Sequence, residues 1–412
     1  MVRAYGDDYR RARGRPSAAQ EKVLRHLAAC RTAALGGHVD KCDACDHVRI
    51  SYNSCRDRHC PKCQGPRRAE WLAQRLDRLL PVPYFHVVFT LPAELNPVAL
   101  RNKKILFSIL FRAAAATLRE IAADPRHLGA EIGFTMLLHT WGENLLFHPH
   151  LHGVVTGGGL SPDGQCWVHG RERFFLPVRV LGRLFRGKFL AALHSAWADG
   201  QLQLAGSTAE LADPVVWSGF KDALYRKEWV VYAKPPFGGP EVVFRYLGRY
   251  THRVALANQR IVDIQNGRVT FSIRDHADSG QRKFLTLDAV EFLRRFLLHV
   301  LPKNLVRIRH YGLCAGRNLH RKFATARHLL QPALAPIPKP NTAPSPPELP
   351  WWTRFLQLTG IDMMACPACS TGRLVRTRSL GATPFPAARP PPASGPPTRV
   401  ALSFPPQPGP RG

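Results

Sequence analysis

No apolar run in the 412 residues approaches the roughly 18 that a bilayer-spanning helix requires. That absence excludes an integral helical membrane protein. The opening residues, MVRAYGDDYRRARGRP, are charged where a secretory signal needs its apolar segment, so export is not expected. Acidic residues are scarce, with 29 Asp plus Glu against 58 Lys plus Arg and a formal charge of +29. The imbalance points to a polyanionic partner, nucleic acid first, although it selects a class of partner and not a reaction. Hydrophobic residues make up 45% of the chain, enough for a sizeable core, and the length predicts two to three domains.

Ten cysteines are present, six of them in three CxxC pairs: Cys42/Cys45, Cys60/Cys63 and Cys366/Cys369. Without an export signal, paired CxxC spacing argues for metal over disulfides. The expected protein is therefore reduced, cytosolic and nucleic-acid-facing. Cys42, Cys45, Cys60 and Cys63 are expected to hold one structural Zn²⁺, each pair presenting two thiolates to a tetrahedral ion. Cys30, His38, Cys55 and His59 lie close by in the chain. They could support that site, replace one of its cysteines, build a second site, or be ordinary buried groups. A closed four-thiolate site scaffolds and does not catalyse, so Arg58 and Lys62 around it are expected to contact nucleic acid.

The element pattern predicts an α+β protein. A capping box, Ser17 with Gln20, starts a helix. YFHVVFTL, IGFTMLLHTW and HLHGVVTG read as strands, and Val98 to Ala123 reads as one long helix. Residues 181–198 and 218–228 look helical, and WVVYA extended. Asn266-Gly267 joins two alternating runs into a hairpin, and TLDAVEFLRRFLLHVL reads as an amphipathic helix stopped by Pro302.

Two segments carry candidate chemistry. In LLFHPHLHGVVTGGG, His150 and His152 are two apart on a strand and share a face, with Leu151 turned into the core. Two imidazoles on one sheet face are half a metal site. His86 ranks first as the third ligand, ahead of His148, and His139 could also reach from a neighbouring strand. Val154 stands where zinc hydrolases of the HxHxD type need Asp, which argues against that chemistry. In RYLGRYTHR, read as part of a helix, Tyr246 and Tyr250 lie one turn apart on one face, with Arg245, Arg249 and Arg253 at the same interval beside them. A phenolate can attack a phosphodiester if its charge is stabilised, and the arginines could hold flanking phosphates. Between Phe244 and Leu330, 17 Lys or Arg face 5 Asp or Glu, as expected of a surface that tracks a DNA backbone.

The order of these motifs is specific: cysteine knuckles, then His-hydrophobic-His, then a two-tyrosine helix. Together with EFLRRFLLHVLPKNLVRIRHYG and GIDMMACPACSTGRL, it resembles the rolling-circle HUH transposases of the insertion sequence 91 type over about residues 20–375. The resemblance implies a HUH endonuclease fold, a central antiparallel sheet with flanking helices, preceded by a small zinc-ribbon-like domain. It implies His150 and His152 as holders of a catalytic Mg²⁺ or Mn²⁺ and Tyr246 and Tyr250 as nucleophiles. It further implies single-stranded DNA as substrate, nicked and joined through a 5′-phosphotyrosine, in the cytoplasm of a bacterium and associated with its nucleoid. The expected layout is a flexible basic arm (1–15), a zinc-binding domain (16–80), the HUH domain (81–330) and a Pro-rich linker (331–350). A small CxxC segment (351–379) and a disordered Pro-rich tail (380–412) follow. A plasmid replication initiator or relaxase would share the chemistry, and a non-catalytic zinc-ribbon DNA-binding protein would share only the knuckles.

Overall fold

The structure is a computed structural model that describes residues 1–63, 71–72, 78–171, 176–234, 255–275, 280–330, 350–369 and 371–383. Two short strands, β1 (Gly37–Cys42) and β2 (Val48–Tyr52), form a hairpin. The central sheet is built from β3 (Tyr84–Thr90), β4 (Glu131–Trp141), β5 (Phe147–Leu160), β6 (Trp167–His169), β7 (Val231–Lys234) and, from further along the chain, Ile308–Gly312. A separate three-stranded meander holds β8 (Ile261–Gln265), β9 (Arg268–Asp275) and β10 (Gln281–Asp288). Numbering the remaining strands, Ile308–Gly312 is β11 and Leu374–Leu380 is β12. The central sheet runs β11-β4-β5-β3-β7, with β6 on β5, and every pairing is antiparallel.

One face of that sheet is apolar and covered. Phe85, Val87 and Phe89 of β3, Phe134, Met136 and Leu138 of β4, and Leu151 and Val155 of β5 pack under helices Lys103–Ala123 and Val178–Ala198. Period-2 alternation sends the residues between them to the opposite face, where the histidines lie. This is the α+β architecture expected, a central antiparallel sheet with flanking helices: Phe323 and Ala326 of helix Lys322–Leu330 pack with Tyr84 and Val154 on the opposite face.

Several elements differ from the sequence expectation. The residues expected as one helix from Val98 break at Asn102, whose buried side chain accepts from Gln203 N at 2.7 Å and donates to Gln203 O at 3.0 Å. The start assigned to a flexible arm is a helix, Val2–Arg13. Its Val2, Tyr5 and Tyr9 pack beside helix Ala289–Leu298, and Arg10 pairs with Glu21 at 2.7 Å. Thr286 to Asp288 belong to β10 and not to the amphipathic helix, because Asp288 caps that helix by accepting from Val290 N at 2.8 Å. The small carboxy-terminal segment is no separate unit, since β12 pairs with β1. The capping box at Ser17 and the turn at Asn266-Gly267, both residues at positive φ, are as read. Among the described residues no helix is long and apolar enough to cross a membrane. Of the linker expected at 331–350, residues 331–349 lie outside the described residues, as do residues 384–412 of the tail expected at 380–412, whose first residue, Leu380, is the last of β12.

Candidate functional site

Strand register assembles the histidines. In β4 and β5, His139 sits directly opposite His150, and Leu137 opposite His152. The ligand nitrogens of His139, His150 and His152 all lie within 4.8 Å of one another. His150 Nε2 and His152 Nε2 are 3.1 Å apart, and His150 Nδ1 donates to the His148 carbonyl at 2.7 Å. That backbone bond fixes the tautomer, leaving the Nε2 lone pair of His150 pointed at its neighbours. Burial pushes the His150 imidazole down to about 4 and His152 well below its ordinary value, so both are neutral donors at physiological pH. Three convergent imidazoles are a donor set suited to a divalent transition-type cation.

His86 comes from a strand neighbouring β5, as expected, but lies outside the group of three converging imidazoles. On β3 it pairs in register with Val154, two residues beyond His152, and its Nε2 reaches His152 Nδ1 at 2.8 Å. Its ring stacks on that of His152 with centroids 5.1 Å apart. It therefore orients His152 from behind, while His139 stands in the third corner. The sequence held only a partial signal for His139: it lies five residues before the middle of the turn joining β4 to β5 and His150 six after it, and the irregularity between His139 and Trp141 absorbs the difference. His148 is exposed, and its carbonyl is what the cluster uses.

The turn beneath the cluster is secured by His299, which is fully buried. Its Nε2 donates to Leu145 O at 3.1 Å, and Thr140 Oγ1 donates to its Nδ1 at 3.2 Å. Leu145 has a φ of 63°, so that bond holds a strained residue. Burial pushes His299 down to about 3, below its unfolded value near 6.5. Its contribution to stability is complete above about pH 6.5 and is lost as pH falls toward 3. Wild-type stability should fall on that account by up to about 1.4 kcal/mol per pH unit across the window. His299→Leu should be less stable at pH 7.5 by about 1–3 kcal/mol and show a shallower acid slope. Urea unfolding at pH 7.5 and pH 5 measures both.

The cysteines group otherwise than expected. Cys60 and Cys63 join Cys30 and Cys55, with Sγ separations of 3.5 Å for Cys30–Cys60, 3.3 Å for Cys30–Cys63 and 3.7 Å for Cys55–Cys63. Cys42 and Cys45 instead meet Cys366 and Cys369. The reason is the hairpin between the two knuckles. Cys42 and Cys45 sit at its turn, whereas Cys60 lies past its open end, beside Cys30 at the end of helix Ala18–Ala29. A six-residue strand spans roughly 20 Å, too far for one ion to bridge. All ten cysteines are free thiols.

Arg58 is not presented to solvent as a phosphate contact. Its guanidinium donates to Leu301 O, Pro302 O and Leu305 O at 3.2, 2.7 and 3.0 Å, just past the end of helix Ala289–Leu298. Asp57 accepts from His26 and His59 at 2.8 and 2.9 Å. Burial acts against its charge, yet these bonds hold it well below the usual carboxylate range. The Cys55–Cys63 loop is thus pinned to the body of the protein. Arg58→Ala should cost about 1–3 kcal/mol of stability. Lys62, which is exposed, should on replacement by Ala lower the salt slope of DNA binding by about one. Thermal melts and salt-dependent binding isotherms separate the two effects.

Tyr246, Tyr250, Arg245, Arg249 and Arg253 lie outside the described residues. The flanking chain is described. Lys234 pairs in register with His86 at the sheet edge, and Ala255 is buried with Trp141 and Leu145. Trp141 in turn stacks on His139 with centroids 4.5 Å apart.

Comparison with known proteins gives these sites a class. Residues 133–322 match a family model described as "Putative transposase", and residues 1–91 match one described as "Transposase zinc-binding domain". The fold and clusters are those of a transposase with an amino-terminal zinc-binding domain. The chain is 51% identical over 375 residues to "Putative transposase y4qJ" of Sinorhizobium fredii (strain NBRC 101917 / NGR234), covering 91% of this chain and 93% of that one. It is 29% identical over 363 residues to the transposase for insertion sequence element IS801 of Pseudomonas savastanoi pv. phaseolicola, covering 87% and 83%. The chain belongs to the insertion sequence 91 family of transposases. Two solved structures of the conjugative relaxase TrwC in complex with oriT DNA, one metal-free and one metal-bound, share 15% identity with it. They cover 40% and 41% of this chain and 71% of their own, at TM-scores of 0.23 and 0.24, too low to bear on the site.

Proposed function

We propose that this transposase nicks and joins single-stranded DNA through a 5′-phosphotyrosine intermediate during rolling-circle transposition, with Tyr246 and Tyr250 as nucleophiles. The observation that carries the reading is the cluster of His139, His150 and His152 at the centre of the sheet. A divalent cation held there would polarise a phosphate oxygen and offset charge on the attacked group. An all-nitrogen donor set favours Mn²⁺ over Mg²⁺. His86 and the His148 carbonyl hold two of the imidazoles in the required orientation.

The tyrosine oxygen forms a bond to phosphorus as the bond to the 3′ oxygen breaks. The DNA 5′ end stays on the protein, and the other strand leaves with a free 3′ hydroxyl that takes up a proton. One phosphodiester replaces another, so rejoining needs no ATP. A second tyrosine lets the protein cut another strand while the first remains loaded. Arg245, Arg249 and Arg253 would grip flanking phosphates. The described residues on either side of the tyrosine segment are compatible with this reading: Lys234 lies opposite His86, and Ala255 shares a buried cluster with Trp141.

The test uses single-stranded oligonucleotides carrying the end of the element, incubated with protein and Mn²⁺ and run on a denaturing gel. A 3′ label should shift to a protein-sized band, whereas a 5′ label should appear on a shortened free strand. Tight DNA binding with neither product would favour a non-catalytic DNA-binding protein. A shift of the 5′ label instead would contradict the proposed polarity.

A further inference from the structure

Four cysteines from segments more than 300 residues apart converge outside the site above. Cys42 Sγ lies 3.6 Å from Cys369 Sγ, and Cys45 Sγ lies 3.8 Å from Cys366 Sγ. We propose that Cys42, Cys45, Cys366 and Cys369 form a second structural zinc site, independent of the one at Cys30, Cys55, Cys60 and Cys63. It clasps the carboxy-terminal knuckle onto the β1–β2 hairpin and so closes the transposase domain between them into a loop.

The distances suit a metal and not a disulfide. A tetrahedral ion with bonds of about 2.3 Å to sulfur separates its ligands by about 3.8 Å, whereas a disulfide requires about 2.05 Å. The two knuckles are alike. Ala44 N donates to Cys42 Sγ and Ala368 N donates to Cys366 Sγ, each at 3.4 Å. Such bonds steady the thiolate that metal binding needs. Gly372 leaves the space around the sulfurs open, because a Cβ there would fall 2.3 Å from Cys42 Sγ and 3.0 Å from Cys369 Sγ.

The surrounding structure is specific to this pairing. β12 runs antiparallel to β1 from Gly37 opposite Leu380 to Cys42 opposite Leu374. Asp43 N donates to Arg373 O at 3.0 Å, and Arg373 N donates to Asp43 Oδ1 at 2.7 Å, cross-linking the knuckles. Arg49 donates to Met363 O at 3.1 Å. Yet this sheet has almost no core of its own. Its buried cluster is Cys42, Cys366 and Leu374, with Cys45 and Cys369 against it, while Val48, Ile50 and Val375 are each more than half exposed. So little apolar burial does not hold a small unit together, and an ion bound by four thiolates supplies the missing cohesion. Half of this ligand set lies outside residues 1–91, the span that matches the zinc-binding domain.

The experiment counts zinc in the full-length protein after brief treatment with a weak chelator, by elemental analysis. Wild type should hold two ions per chain. Cys366→Ser/Cys369→Ser should hold one, Cys42→Ser/Cys45→Ser should hold one, and the quadruple variant should also hold one, because all four residues serve the same ion. In both double variants trypsin should cut at Arg373, Arg376 or Arg378 at least about tenfold faster than in wild type, as expected of a strand released from its sheet. Should a variant fail to fold, alkylation of native wild type gives the same answer. Cys42, Cys45, Cys366 and Cys369 should resist N-ethylmaleimide while exposed Cys166 reacts, and all four should become reactive together when zinc is stripped. One zinc in wild type, two in the Cys366→Ser/Cys369→Ser variant, or Cys366 and Cys369 reacting as fast as Cys166 would overturn the proposal. None of these readouts depends on DNA cleavage.

Discussion

His150→Ala is expected to reduce metal-dependent nicking by roughly 10³-fold, and His139→Ala by a comparable factor. Each removes one of three imidazole ligands, and loss of a single preorganised electrostatic contact already costs about 10²–10³-fold. Both histidines are buried, at 9% and 2% exposure, and both project from strands, so the vacated corner does not refill from a mobile neighbour. His86→Phe should behave differently. It removes the bond to His152 Nδ1 but leaves the three-nitrogen cluster in place. Loss of an orienting partner typically costs about 10–100-fold in metal affinity or activity. That deficit should shrink as Mn²⁺ is raised from micromolar to millimolar, whereas the His139→Ala and His150→Ala deficits should persist. Initial nicking rates across a Mn²⁺ titration decide the matter. If His86→Phe is the variant that excess metal does not rescue, and His139→Ala is, the two histidines exchange roles.

These assignments show which parts of the site were legible in the sequence. His150 and His152 were, because strand alternation is a local rule and both residues obey it. His86 and His139 were ambiguous, because each lies on another strand and its distance from His152 depends on register. Register is set by the turn at Gly142 to Leu146 and by irregularities at Ile132/Phe134 and His139/Trp141, where β5 gains two residues and one residue, respectively, on β4. The cysteine grouping failed for a similar reason. Sequence proximity favoured joining Cys42 and Cys45 to Cys60 and Cys63, yet a hairpin holds those pairs apart and the partner of Cys42 is 327 residues away. The helix at Val2–Arg13 was hidden because its narrow apolar stripe, Val2, Tyr5 and Tyr9, is interleaved with charged residues that pair among themselves. The long elements with strong periodicity, β3, β4, β5 and helix Val178–Ala198, emerged close to where the pattern put them.

Replacing both Tyr246 and Tyr250 by Phe should abolish the SDS-stable adduct while leaving DNA affinity within about twofold. The change removes two hydroxyls and no charge, so the phosphate contacts made by lysine and arginine persist. Without a phenolic oxygen no covalent link to phosphorus can form at those positions, and water held at a bound cation could at most hydrolyse the strand slowly. The single variants carry more information than the double. If either tyrosine can reach the cluster, Tyr246→Phe and Tyr250→Phe should each retain adduct formation on a single oligonucleotide. Each should fail on a substrate that offers two cleavable strands to one protein, where the second cut requires a free nucleophile. If one single variant alone abolishes the first adduct, the tyrosines act in a fixed order, and the inactive variant identifies the first. Adduct in the double variant would sink the assignment and send the search for the nucleophile elsewhere. The measurement is a gel with 3′-labelled DNA, run beside a filter-binding isotherm so that capture and affinity come from the same preparation.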